Sequence, residues 1–244
     1  MSGVAMLEPG GTMIAGDRAV AVGPGRAEVA LRWRGCDRAD PPSSAAAARL
    51  AEGLVAERLA IEPRRVRVAT LPPSGRPVAF VAAAPAPLFV SISHVPGLVA
   101  AAVSADAPVG LDIVDPAEAG RGLDVWFTPD ELALEPDDGR LRAMLWAAKE
   151  AAYKACRLDT EFRPRGVRID ALAGRSFGWT VVDPFGDVCG AGCLLSIGRH
   201  VVAVAAPAAV ARPAHDRLHP EHPERAVRPA RHEDQQRHQE ALVR

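Results

Sequence analysis

The chain has 244 residues and a net charge of −1, and it is 48% apolar but only 5% aromatic. That length suits one sizeable domain or two small halves packed together, with a core built on Ala, Val and Leu. The balanced charge gives no global basic field for nucleic-acid binding, and the longest apolar runs, such as Val201 to Ala206, are far too short to span a bilayer.

Met1 to Gly16 lacks a basic stretch followed by an apolar one, so it does not read as a signal peptide. A soluble, cytoplasmic protein is expected. Residues 1–25 are Gly-rich and patternless and are expected to be disordered. Glu28 to Trp33 alternates as a first strand. Ser43 or Ser44 then caps a helix that runs to about Ala60 and is ended by Pro63. Val66 to Thr70 reads as a strand, and Leu71 to Pro77 as a turn-rich loop.

Three short β segments follow, at Leu88 to Ser93, Leu98 to Ser104 and Val109 to Val114. Their spacing, with Pro96-Gly97 and Asp106-Ala-Pro108 between them, predicts an antiparallel meander. Thr128-Pro-Asp-Glu131 has the pattern of a capping box, and a long helix is expected from about Gly139 to Arg157. Val167 to Asp170, Gly178 to Val182, Cys193 to Ser196 and Val201 to Ala205 read as strands. From Arg212 onward the chain is rich in His, Pro and charge without apolar periodicity, and it reads as a disordered tail. Cys36, Cys156, Cys189 and Cys193 lack clustered partners at zinc-binding spacing and are expected to be reduced thiols.

The order strand–helix–strands occurs twice, once before Gly110 and once after it, without a sequence repeat. An α+β fold of two similar halves is therefore expected, with an N-terminal half over 26–108 and a C-terminal half over 109–211.

Two segments stand out chemically. In Leu145-Trp-Ala-Ala-Lys-Glu-Ala-Ala-Tyr-Lys154, helical spacing puts Glu150 and Lys154 on one face, with Trp146 and Tyr153 close by and Lys149 about a quarter-turn round. Read alone, Glu150 and Lys154 make an ordinary i,i+4 ion pair. The flanking aromatics argue that this face meets something. In Val109-Gly-Leu-Asp-Ile-Val114, Asp112 alternates with apolar neighbours: it either faces solvent or needs a partner. Asp115, one residue past the strand, is expected to face solvent. Ser93 and His94 end the preceding strand, and Arg76 lies in a loop. Each of these has a structural reading as well as a functional one. Taken together, the two segments offer two carboxylates for a hard cation and several partners for a phosphate, which suits Mg²⁺-assisted chemistry on a pyrophosphate. No phosphate-binding glycine loop and no Gly-x-Ser-x-Gly elbow is present.

These motifs, in this order, resemble the 4′-phosphopantetheinyl transferase superfamily, specifically its larger pseudo-dimeric type that activates peptide and polyketide synthetases. The matching run is Gly75-Arg-Pro77, Ser91-Ile-Ser-His94, Val109 to Val114, Phe127 to Glu131 and Leu145 to Lys154, and it covers roughly residues 27–206. The resemblance implies two α/β halves related by a pseudo-two-fold axis, with coenzyme A and Mg²⁺ in the cleft between them. It implies transfer of the phosphopantetheine arm to a serine of an apo acyl or peptidyl carrier protein, with release of 3′,5′-ADP, by a monomer. Carried over by motif, Asp112 and Glu150 would be the Mg²⁺ ligands, with Glu150 also the base. Lys149 and Lys154 would hold phosphates, with Lys154 catalytic. Ser93 and His94 would grip coenzyme A phosphates and Arg76 the nucleotide end. Val114 stands where the family often has a third acidic ligand, so a water would complete the shell. The segment before the first helix is short, leaving Arg34 and Arg38 as the basic groups near the 3′-phosphate. A member that keeps the fold as a carrier-binding module without turnover is the alternative reading. A Mg²⁺-dependent pyrophosphate hydrolase would need more acidic ligands than this cluster supplies.

Overall fold

The computed structural model describes residues 15–22, 27–36, 43–72, 75–134, 140–158, 161–182 and 186–208. Arg38 and the tail from 212 lie outside the described residues. Among the described residues, twelve strands form three antiparallel sheets.

The first sheet has the order β1-β2-β7-β6, from β1 (Ala15–Val22), β2 (Ala27–Gly35), β6 (Phe89–Val95) and β7 (Leu98–Ser104). A small sheet joins β3 (Val66–Leu71), β4 (Arg76–Val81) and the two-residue β5 (Ala84–Pro85). The third sheet has the order β8-β12-β11-β10-β9. Its strands are β8 (Gly110–Val114), β9 (Val167–Ala173), β10 (Ser176–Val181), β11 (Val188–Ile197) and β12 (His200–Pro207). Helix α1 (Ser44–Arg58) packs on the first sheet and on β3. Helix α3 (Arg140–Cys156) packs on the third, preceded by the short α2 (Pro129–Leu132).

Period-two alternation sorts the core into layers. On β7, Leu98, Ala100 and Ala102 face the third sheet, while Ala101 and Val103 face α1. On β12, Val202 and Val204 face the first sheet, while Val201, Ala203 and Ala205 face α3. Two sheets thus pack face to face, with a helix on each outer side. The mixed α+β class expected from the sequence is what the structure has.

The caps follow the sequence: the Ser43 hydroxyl accepts from Ala46 N, and Thr128 and Glu131 form a complete capping box at the start of α2. Three expectations fail. Residues 15–22, within the stretch read as patternless, form β1, a full ladder along β2 from Ala15↔Arg34 to Val22↔Ala27. It is an edge strand with only Val22 buried, so its alternation is muted, and Gly16 leaves room for the Trp33 ring. The segment read as loop at Leu71 to Pro77 begins β4. Pro77 is tolerated because β5 pairs only with Phe80 and Val81, so the missing N–H lies on an open edge. The meander also stops short. Both sides of β7 are filled, by β2 and β6, so β8 pairs instead with β12 in the other sheet.

That switch of β8 builds the site. Gly110 opens β8 directly beneath α3, where a Cβ would stand 1.8 Å from the Ala151 carbonyl oxygen. The close approach lets the C-terminal turns of α3 lie on β8. Gly110→Ala is expected to lower stability by about 3 kcal/mol through overpacking, read by urea denaturation. A variant as stable as the parent would show that α3 does not rest on this strand.

Candidate active site

The site is a cleft of about 550 Å³ where the first and third sheets meet at β6 and β8. Its walls come from the start of α1 (Ser44), β3 (Thr70), the end of β6 (Ser93, His94), β8 and its following loop (Asp112, Asp115), and α3 (Trp146, Glu150, Lys154). A second pocket of about 240 Å³ shares Gly75, Ile92, Glu150 and Lys154 with it. That pocket carries Arg76, Tyr153, Arg157 and Phe162. Tyr153 packs on Phe162 in a tilted arrangement at 5.1 Å between ring centroids, and Trp146 meets the same ring edge-on at 5.8 Å. The aromatics beside the Glu150–Lys154 pair therefore frame a binding face.

Asp112 points from β8 toward α3, opposite to Leu111 and Ile113, which enter the core between the sheets. Its Oδ1 lies 2.6 Å from Lys154 Nζ, and the same ammonium is 3.5 Å from Glu150 Oε2. Burial pushes the Glu150 carboxyl up to about 7, reinforced by the charge of Asp112 and opposed by Lys154. Burial alone would lower the proton affinity of Lys154, but Asp112 and Glu150 outweigh it and raise it. The cluster thus holds two carboxylates around one ammonium, crowded enough that one carboxylate keeps a proton near neutrality. A second cation would relieve that crowding. The sequence had Asp112 either solvated or partnered; it is partnered.

Metal-free protein is accordingly expected to lose stability as pH rises from about 4.5 to about 7, because folded Glu150 keeps its proton across that window and the unfolded chain does not. Added Mg²⁺ should raise the melting temperature more at about pH 8 than at about pH 6, where a proton competes for Glu150. Melts that are insensitive to both pH and Mg²⁺ would contradict the proximity of the two carboxylates.

His94 is exposed at the mouth of the cleft, where its Nε2 lies 3.2 Å from the Ser44 hydroxyl. The turn after it, Pro96-Gly97, places Gly97 at φ +91°. Arg34, Val99 and His94 form one row across β2, β7 and β6. Arg34 and His94 therefore lie on the α1 side of the sheet, and His94 stands at the helix N-terminus, whose free N–H groups favour an anion.

Residues 108–205 match the model of the 4′-phosphopantetheinyl transferase superfamily. The chain is similar to that superfamily over this segment, 98 of its 244 residues. A comparison with curated proteins found no match.

The matched segment contains the β8 motif, α2, all of α3 and the strands up to Ala205. Three residues have surroundings that the sequence did not lead one to expect. Lys149, expected to hold a phosphate, is fully buried away from the cleft. Its Nζ lies 2.7 Å from Glu131 Oε1 and donates to the carbonyls of Pro164 and Val167. Glu131 accepts in turn from the backbone N–H groups of Thr128 and Ile169, each at 2.8 Å. In this matched segment, then, the first lysine of the Lys-Glu motif ties α2 and the start of β9 to α3. Ser93 does border the cleft, but its hydroxyl donates to Asp112 Oδ1 at 3.0 Å and accepts from Ile113 N at 3.2 Å, so its proton is already used. Asp115, expected to face solvent, is buried. It pairs with Arg199 and accepts from Ala117 N at 3.1 Å.

Arg76 opens β4 and donates to the Arg157 carbonyl at the end of α3, so it faces the adjoining pocket. Val114 stands where the resemblance led to the expectation of a third acid. It is buried beside the cleft, and the described residues contain no cluster of three metal-binding His, Cys, Asp or Glu. The four cysteines are thiols outside any disulfide, as the sequence suggested. No described helix is long and apolar enough to cross a membrane.

Proposed function

We propose that this protein transfers the 4′-phosphopantetheine arm of coenzyme A to a serine hydroxyl of an apo acyl or peptidyl carrier protein, releasing 3′,5′-ADP. One observation carries the reading: Asp112 on β8 and the Glu150–Lys154 pair on α3, distant from it in sequence, meet at one cleft inside the segment that matches the superfamily.

The donor set fits Mg²⁺. Asp112 and Glu150 are adjacent carboxylates that share a side-chain hydrogen bond while Glu150 keeps its proton, and Ser93 and Lys154 both donate to Asp112 Oδ1. With Val114 in place of a third acid, the remaining positions suit water and pyrophosphate oxygens, which Mg²⁺ ordinarily retains. When bound there, the ion neutralises charge on the pyrophosphate and so lowers the repulsion felt by an incoming nucleophile.

The chain's own groups divide the remaining work. Glu150 takes the proton of the carrier serine, directly or through a water. The serine oxygen bonds to the phosphorus that carries the pantetheine arm, the pyrophosphate P–O bond breaks, and 3′,5′-ADP departs. Lys154 stays charged and stabilises the oxygens on which negative charge builds. His94 and Arg34, with the N-terminus of α1, are assigned to the 3′-phosphate, and Arg76 to the nucleotide end. Lys149 has no part in binding.

We assign the protein to the larger pseudo-dimeric type acting as a monomer, with halves over 26–108 and 109–211, because each half supplies one helix packed on one of two stacked sheets. β1 would extend the N-terminal half to Ala15. A cytoplasmic enzyme of peptide or polyketide synthesis is the corresponding setting. The carrier-binding-module reading is disfavoured by the intact Asp112–Glu150–Lys154 cluster, which docking alone does not require. Mass spectrometry of a panel of apo carrier proteins incubated with the protein, coenzyme A and Mg²⁺ tests the proposal. At least one carrier should gain a phosphopantetheine arm, and none should in excess EDTA. Binding of carriers without any mass gain would favour the module.

A further inference from the structure

β6 and β8 are neighbouring edges of different sheets, and no backbone ladder joins them. Two serine side chains do so instead. The Ser91 hydroxyl accepts from Leu111 N at 2.9 Å, and the Ser93 hydroxyl accepts from Ile113 N at 3.2 Å. Both serines are buried, so these bonds satisfy N–H groups that would otherwise be orphaned at the junction.

The two serines differ in where their protons go. A hydroxyl has one proton to donate. That of Ser93 goes to Asp112 Oδ1, which also receives Lys154 Nζ at 2.6 Å. A phosphate oxygen is only an acceptor, so Ser93 could bind one only by releasing Asp112. With two donors on Oδ1, rotation of the carboxylate is restrained.

We propose that Ser93 is a positioning residue for the metal-ligating carboxylate and not a ligand of coenzyme A. It acts through Asp112, holding that carboxylate in place for a divalent cation. Ser91 makes the same kind of junction bond without touching Asp112, and so serves as an internal control. The inference rests on the cation role given to Asp112 above and adds what orients it.

Mn²⁺ is the probe, its free fraction measured by electron paramagnetic resonance in the presence and absence of coenzyme A, with coenzyme A affinity measured separately at saturating Mn²⁺. Ser93→Ala is expected to weaken Mn²⁺ binding about tenfold, the usual size of losing a hydrogen bond to a metal ligand. Ser91→Ala should change it less than about threefold, and Ser93→Thr, which keeps the hydroxyl, should restore it to within about threefold. Coenzyme A affinity should be unchanged in all three. Melting temperatures of Ser91→Ala and Ser93→Ala monitor the shared loss at the junction. Equal weakening of Mn²⁺ binding by the two alanine variants would overturn the proposal. So would a Ser93→Ala variant that spares Mn²⁺ but loses coenzyme A, or wild-type protein that binds no Mn²⁺. Ser93-dependent Mn²⁺ binding in a protein that modifies no carrier would leave this inference standing and remove the transferase reading.

Discussion

Glu150→Gln is expected to lower turnover about a thousandfold, within the range for loss of a positioned general base. The change removes the group proposed to accept the serine proton and one of the two carboxylates available to the cation. It also removes the charge that crowds Asp112, so the melting temperature in metal-free buffer at about pH 8 should stay level or rise. A fall in activity without a fall in stability is the signature to look for. Asp115→Asn is the comparison. Its carboxylate is buried against Arg199, so that substitution should lower stability while folded molecules keep their turnover. Comparable losses of turnover in the two variants would mean that the base is not Glu150.

Lys149→Met is expected to produce the largest loss of stability, about 3–5 kcal/mol, because it leaves Glu131 charged and buried without its partner. Burial lowers the proton affinity of Lys149 while Glu131 opposes that shift, so the pair stands or falls together. Glu131→Gln should cost less than Lys149→Met, since a side-chain amide can still accept from Ile169 N. Urea denaturation reads the loss, and calorimetry at low temperature reads coenzyme A affinity, which should be unchanged. A stable Lys149→Met protein with coenzyme A affinity reduced tenfold would return Lys149 to the phosphate site.

The two lysines of one motif show how far the sequence could be read. Glu150 and Lys154 share a helix face by spacing alone, and they meet at the cleft. Lys149 sits only one residue from Glu150, but about 100° of helical rotation turns it into the core. Its partner, Glu131, was visible only as a capping-box residue, because an ion pair across 18 positions leaves no local pattern. The strand Leu98–Ser104 was legible because both its neighbours are paired and its residues are all apolar or small. β1 and β4 were not, since an exposed edge strand and a strand opened by Arg-Pro lack the usual alternation. The role of Ser93 was hidden for a further reason. Its partners Asp112 and Ile113 follow from where β8 goes, and β8 leaves the expected meander for another sheet.

The central claim is group transfer from coenzyme A to a carrier serine at the Asp112–Glu150–Lys154 cleft. The most direct test incubates the protein with coenzyme A, Mg²⁺ and an apo carrier, and counts 3′,5′-ADP by chromatography and modified serine by tandem mass spectrometry in the same samples. The account predicts that the two products appear in equal amounts and that both disappear with Glu150→Gln. Release of 3′,5′-ADP with no arm on the serine would contradict it and make the cleft a pyrophosphate hydrolase.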